Sequence, residues 1–121
     1  MKRLMPLALL YLATLAHAQP PGNIDANRLL NANQDAANWL AHGRTYDEQR
    51  FSPLTRINDS NVATLGLAWT QKLDIDRGTE ATPIVVDGVM YTTGAFSIVY
   101  AFDAATGKPL WKYDPKIPME K

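Results

Sequence analysis

Glu80 is a loop carboxylate that could do chemistry as a binding group. It stands in Gly78-Thr79-Glu80-Ala81-Thr82-Pro83, just before the β-rich run that starts at Ile84. A carboxylate there can accept a hydrogen bond from a ligand hydroxyl or ring N–H, or receive an arginine. Loops at one end of a rigid scaffold commonly carry such binding groups. Read from the residues alone, a solvated loop acid is the better account. Arg77 lies nearby, and its plainer role is a surface or structural ion pair. A second polar group, Asp103, Thr106 and Gly107, reads as structural. Asp103 can accept from the backbone N–H groups of its turn, Thr106 can add a hydroxyl contact, and Gly107 supplies positive φ. With no cysteine and only His17 and His42, both unpartnered, the sequence offers no thiolate metal site and no histidine cluster.

The elements that must hold these residues are short strands. Ile84–Asp87 and Val89–Thr92 flank Asp87-Gly88, a pair that favours a tight hairpin because glycine accepts positive φ. Ile98–Phe102 is a third run. Ala104-Ala105-Thr106-Gly107 turns the chain into a fourth, Pro109–Tyr113, where the proline belongs at a strand start or an edge. Upstream, Leu67, Trp69, Gln71 and Leu73 share one face of a period-two pattern and suggest a further strand. The four strands from Ile84 to Tyr113 match the size of one blade of a β-propeller. Trp69 and Trp111 end similar apolar triplets 42 residues apart, and known blade repeats run at about 40 to 45 residues. The alternative is an ordinary sandwich fragment or small β-meander.

Before Gly66 the character differs. Ala26–Leu40 suggests one or two short helical turns, with Asp25 able to cap the first. Residues 43–53 are polar and irregular, with Tyr46 and Phe51 as expected anchors. Asp47 and Glu48 lie close to Arg44 and Arg50 in an expected solvated surface. Ser60 or Asn61 is placed to cap a short turn running to Leu65.

The chain has 121 residues, enough for one small domain. Lys2 and Arg3, an apolar run from Leu4 to Leu15, and Ala16-His17-Ala18 have the layout of a secretory signal peptide. A retained N-terminal anchor is the alternative. The expected organisation is therefore a signal peptide over 1–18, an extended and short-helical segment over 19–65, and a partial propeller over 66–121. Cleavage after Ala18 leaves a net charge of about −2 and no Lys/Arg cluster. That argues against a nucleic-acid partner and against anionic lipid. The fold class expected is all-β: about one complete four-stranded blade plus one strand of a neighbouring blade.

The run Ala101-Phe102-Asp103-Ala104-Ala105-Thr106-Gly107-Lys108-Pro109-Leu110-Trp111 resembles the tryptophan-docking motif of pyrroloquinoline quinone (PQQ)-dependent alcohol dehydrogenases, the quinoproteins. Trp39 and the stretch Gly43 to Leu54 resemble the opening of their mature chains. Ile57-Asn58, Asn61-Val62, Leu65–Trp69 and Arg77–Tyr91 continue the likeness in order, so that it spans roughly Asn38 to Pro118.

The resemblance implies an eight-bladed propeller with PQQ on the central axis and calcium, or a lanthanide, beside it. It implies that Ile84–Tyr113 is the first full blade and Leu67–Leu73 an outer strand of the last. The N-terminal segment would pack outside. It also implies that Glu80 touches the edge of the quinone, the one cofactor-binding residue assigned here. Phe96, between the second and third strands, could wall the cofactor region, and ordinary loop packing is the equal alternative. The family's paired cysteines, metal ligands and catalytic aspartate have no counterpart in this sequence, so no catalytic or metal residue is assigned.

The expectation is an N-terminal portion of a periplasmic oxidoreductase that oxidises primary alcohols or related substrates and passes electrons to a cytochrome c-like acceptor. The chain reads as a truncated gene product, a partial sequence or a split-gene remnant. Its partners would be the missing blades of its own parent, and alone it should neither bind PQQ or calcium tightly nor turn over alcohol. The runner-up is a non-catalytic periplasmic propeller scaffold or binding module. A third reading is a free-standing small β protein, which would have to hide Trp69 and Trp111 by itself.

Overall fold

The computed structural model describes residues 22–74 and 77–118. The expected signal segment, residues 1–18, lies outside the described residues. Four strands form one antiparallel sheet in chain order: β1 (Ile84–Val86), β2 (Val89–Thr93), β3 (Val99–Asp103) and β4 (Pro109–Tyr113). These are the four β-rich runs expected from the sequence, shifted by a residue at some ends. Asp87 and Gly88 both take positive φ, 49° and 81°. This is the pairing a two-residue hairpin needs to follow the twist of its strands. Ala104 N–H then ties the two turns at this end together by donating to Gly88 C=O at 2.8 Å.

Successive side chains of a strand point to opposite faces, and each face carries its own apolar cluster. On one face, Val86, Ile84 and Tyr91 pack with Ala32, Leu40 and Leu29 of the N-terminal segment. Ala101 is fully buried there and pairs across the ladder with both Tyr91 and Trp111. On the other face, Ile98, Tyr100 and Phe102 pack with Met90 and Leu73. The β3–β4 ladder shifts register between Ala101 and Phe102.

The N-terminal segment begins with α1 (Ala26–Leu30), where the Asp25 carboxylate accepts from Arg28 N–H at 2.8 Å, the expected cap. A turn of 3-10 helix follows over Ala32–Gln34, and no helix continues to Leu40. Trp39 instead pairs with β1. Its N–H donates to Val85 C=O at 2.9 Å, and Val85 N–H returns to Trp39 C=O at 3.0 Å. The Arg28 guanidinium grips the Asp87 carboxylate with both terminal nitrogens, at 2.9 and 2.6 Å, while Asn38 accepts from Asp87 N–H at 2.7 Å. The segment is thereby strapped to the β1–β2 hairpin.

Four expectations are corrected. Leu67–Leu73 joins no ladder among the described residues. It lies against the sheet through side chains instead: Trp69 contacts Phe102 and the Ala104 carbonyl, and Leu73 packs with the Ile98, Tyr100 and Phe102 cluster. Tyr46 and Phe51 are not anchors, since each is 67% exposed and nothing described packs over it. Arg44 is not a solvated surface charge: it is buried, and its guanidinium donates to the carbonyls of Ala32 and Asp35 at 3.3 and 3.4 Å. The 3-10 turn Val62–Thr64 follows Asn61 but has no side-chain cap. The Asn61 amide is engaged instead with Asn58 N–H and Arg56 C=O.

Candidate functional site: a docked tryptophan and an open loop end

The two ends of the sheet do different work. One end carries the Asp87-Gly88 hairpin and the turn from Asp103 to Lys108. In the second turn the Asp103 carboxylate accepts from Thr106 N–H at 2.8 Å and from the Thr106 hydroxyl at 2.7 Å, while Gly107 N–H closes onto Asp103 C=O at 2.8 Å. These bonds, led by the Thr106 hydroxyl, hold the Asp103 carboxyl below its usual range. The structural role expected of Asp103 fits this geometry. Trp69 seats on the turn: its Nε1–H donates to Ala104 C=O at 3.2 Å, and its ring lies 6.5 Å from Phe102, centroid to centroid. Trp111 is 49% exposed, with Tyr91 at 5.8 Å on its inner side.

Leu73 and Asp74 continue the contact made by Trp69. Asp74 accepts from Tyr100 Oη at 2.7 Å and pairs with Lys112. Those partners, Lys112 first, pull the Asp74 carboxyl down to about 2. Burial, reinforced by Asp74, pushes the Tyr100 phenol up to about 12. A groove of about 320 Å³ runs between this segment and Leu110 of β4.

The other end of the sheet is where β1 begins and β2 passes to β3. It brings together residues 77–83 and the Gly94–Ile98 connection. Glu80 is exposed there and makes no hydrogen bond or ion pair among the described residues. The Arg77 guanidinium lies 5.1 Å from the centre of the Phe96 ring. Phe96 and Ser97 both take the left-handed conformation, φ 58° each, in a loop closed by Gly94 N–H on Ile98 C=O at 2.8 Å. Sequence reasoning named Arg77 and Phe96 separately and missed their contact, because nothing local in the chain links positions 19 residues apart.

The Glu80 carboxylate is therefore an exposed acceptor with no hydrogen-bond partner among the described residues, free to accept from a ligand N–H or O–H. Among the described residues no group of three or more His, Cys, Asp or Glu side chains converges to hold a metal ion. The described residues do not fit a calcium or lanthanide site.

A four-stranded antiparallel unit with an indole docked on its outer turn is one blade of a β-propeller. Residues 39–121 match the family described as PQQ, "Glucose/ethanol/alcohol dehydrogenase, beta-propeller domain". The chain belongs to this family of quinoproteins. It is 62% identical over 99 residues to quinohemoprotein alcohol dehydrogenase ADH-IIG of Pseudomonas putida, covering 82% of this chain and 14% of that protein. The solved structure of ADH-IIG superimposes with a TM-score of 0.76 at 64% identity, over 79% of this chain and 14% of that one. The 1-butanol dehydrogenase (cytochrome c) of Thauera butanivorans is 52% identical over 83 residues, covering 69% of this chain and 12% of that protein. A europium-containing methanol dehydrogenase superimposes with a TM-score of 0.65 at 33% identity, covering 74% of this chain and 16% of its own. The chain spans about 14% of the length of the first curated relatives it matches.

Proposed function

We propose that this chain supplies the first blade and one cofactor contact of an exported, PQQ-dependent alcohol dehydrogenase. The observation that carries this is the unspent Glu80 carboxylate on the loop leading into β1, in a chain that belongs to the quinoprotein family. When bound, PQQ supplies the two-electron acceptor for alcohol oxidation. Glu80 would hold it by accepting a hydrogen bond at the quinone edge, and the blade would carry that loop. The alcohol-binding groups and the metal ligands would come from outside these residues. A primary alcohol as substrate and a cytochrome c as acceptor are proposed from the relatives' names. A lanthanide or calcium as metal follows the europium-containing neighbour and the family likeness.

Export to the periplasm rests on the layout of residues 1–18. Recovery in a periplasmic extract with an N-terminus at Gln19 would support it, and recovery only in the cytoplasmic fraction with Met1 intact would refute it. By itself the chain is proposed to have no alcohol-dependent dye reduction.

The Glu80 assignment is tested in a hybrid in which residues 39–118 replace the matching stretch of ADH-IIG. A hydrogen bond to a charged group contributes about 1.5–3 kcal/mol, so Glu80→Gln should weaken PQQ binding about tenfold or more by equilibrium dialysis. Unchanged affinity would remove Glu80 from the site.

A further inference from the structure

We propose that Arg77 and Phe96 form a clamp that positions Glu80, so that Phe96 serves the cofactor site through the loop rather than by touching the ligand. The inference rests on the Glu80 reading above and deepens it. Glu80 is on a loop with no hydrogen bond of its own among the described residues, and a carboxylate on an untethered loop binds poorly because its freedom is lost on binding. The described tether nearest it in sequence is the Arg77 guanidinium over the Phe96 ring. A cation against an aromatic face is attracted by the ring quadrupole. The ring is delivered to that place by an unusual backbone. Phe96 and Ser97 hold consecutive left-handed conformations, which non-glycine residues rarely adopt and bulky ones least. Such outliers persist only where the surroundings over-determine them, and they concentrate at ligand clamps. Here the surroundings are the Gly94–Ile98 closure and the buried Ile98 that follows.

The clamp is read in the full 121-residue chain by trypsin, which must draw the Arg77 side chain into its own pocket to cut before Gly78. Phe96 competes for that side chain. Phe96→Leu keeps an apolar residue but loses the ring face, and should speed cleavage at Arg77 about two- to fivefold. Phe96→Tyr should keep the parent rate, and cleavage at Arg56, in a separate exposed segment, should not change in either variant. Equal rates at Arg77 in the parent and Phe96→Leu overturn the clamp. Acceleration at both sites shows that Phe96 only stabilises the fold, and also overturns it.

The link to Glu80 is read as PQQ affinity in the ADH-IIG hybrid. Phe96→Leu should weaken binding about two- to fivefold with Glu80 present, and not at all in the Glu80→Gln background. An equal loss in both backgrounds means that Phe96 meets the cofactor directly, and defeats the positioning role. If Glu80→Gln alone changes nothing, the Glu80 reading fails, whatever the protease shows about the clamp.

Discussion

Trp69 and Gly107 are fitted to each other: a β-carbon added to Gly107 would stand 2.5 Å from Cδ2 and Cε3 of the Trp69 ring. Gly107 also holds φ at 72°, so the position is closed to other residues by backbone and by space together. The indole's Nε1–H bond to Ala104 fixes the ring on the same turn. A residue 38 positions upstream is thus held by the blade's own reversal.

Gly107→Ala should cost about 2–4 kcal/mol, combining a left-handed alanine with an overpacked contact. The urea midpoint should fall, and Trp69 emission should shift to longer wavelength in the folded protein. A midpoint within error of the parent would mean that the ring and turn are not in contact.

The two recurring indoles should behave differently. Trp69→Phe loses the bond to Ala104 and part of the docked ring, for about 1–2 kcal/mol. Trp111→Phe keeps an aromatic against Tyr91 and should change stability by less than about 0.5 kcal/mol. Acrylamide should quench Trp111 more readily than Trp69, measured in single-tryptophan variants.

Asp74 makes the chain acid-sensitive in a defined window. Its folded carboxyl titrates near 2, below the ordinary 3.8, so the unfolded chain binds more protons between those values. The stabilisation is therefore complete above about pH 4 and is lost as pH falls through 2. Asp74→Asn should flatten that part of the stability profile and bring the Tyr100 phenol, read by absorbance at high pH, down from about 12.

Arg28→Ala should release the strap. The Asp87 carboxyl, held low chiefly by Arg28, should rise toward the ordinary carboxylate value in a carbon-detected NMR titration. Amides of α1 should exchange with solvent faster, while those of β2 and β3 keep their protection. Loss of protection across the whole sheet would instead make Arg28 part of the core's stability.

Much of the blade was legible because its signals are local. Runs rich in β-branched and aromatic residues marked the four strands, Asp87-Gly88 marked the hairpin, and Asp103, Thr106 and Gly107 marked the turn; each is a statement about neighbours in the chain. Contacts between distant residues left no such mark. Nothing near Arg28 announces Asp87, and alternation in Leu67–Leu73 reports an apolar face without saying whether a backbone partner exists. Tyr46 and Phe51 were misjudged because large aromatic residues signal burial only where something is present to cover them. Arg44 misled in the opposite way, since neighbouring acids suggested a surface while backbone carbonyls drew it inward. Glu80 stood out only through likeness to a family, because a lone loop carboxylate carries no pattern of its own.

The bridge between Trp39 and Val85 has a bearing on how copies of this chain would meet. It occupies the outward backbone groups at the centre of β1, while β4 keeps its outer side unpaired. A sheet with two open sides recruits copies without end, as fibrils do. With one side sealed, two copies meeting β4 to β4 use up the one open edge that each has among the described residues, so joining of this kind stops at a pair.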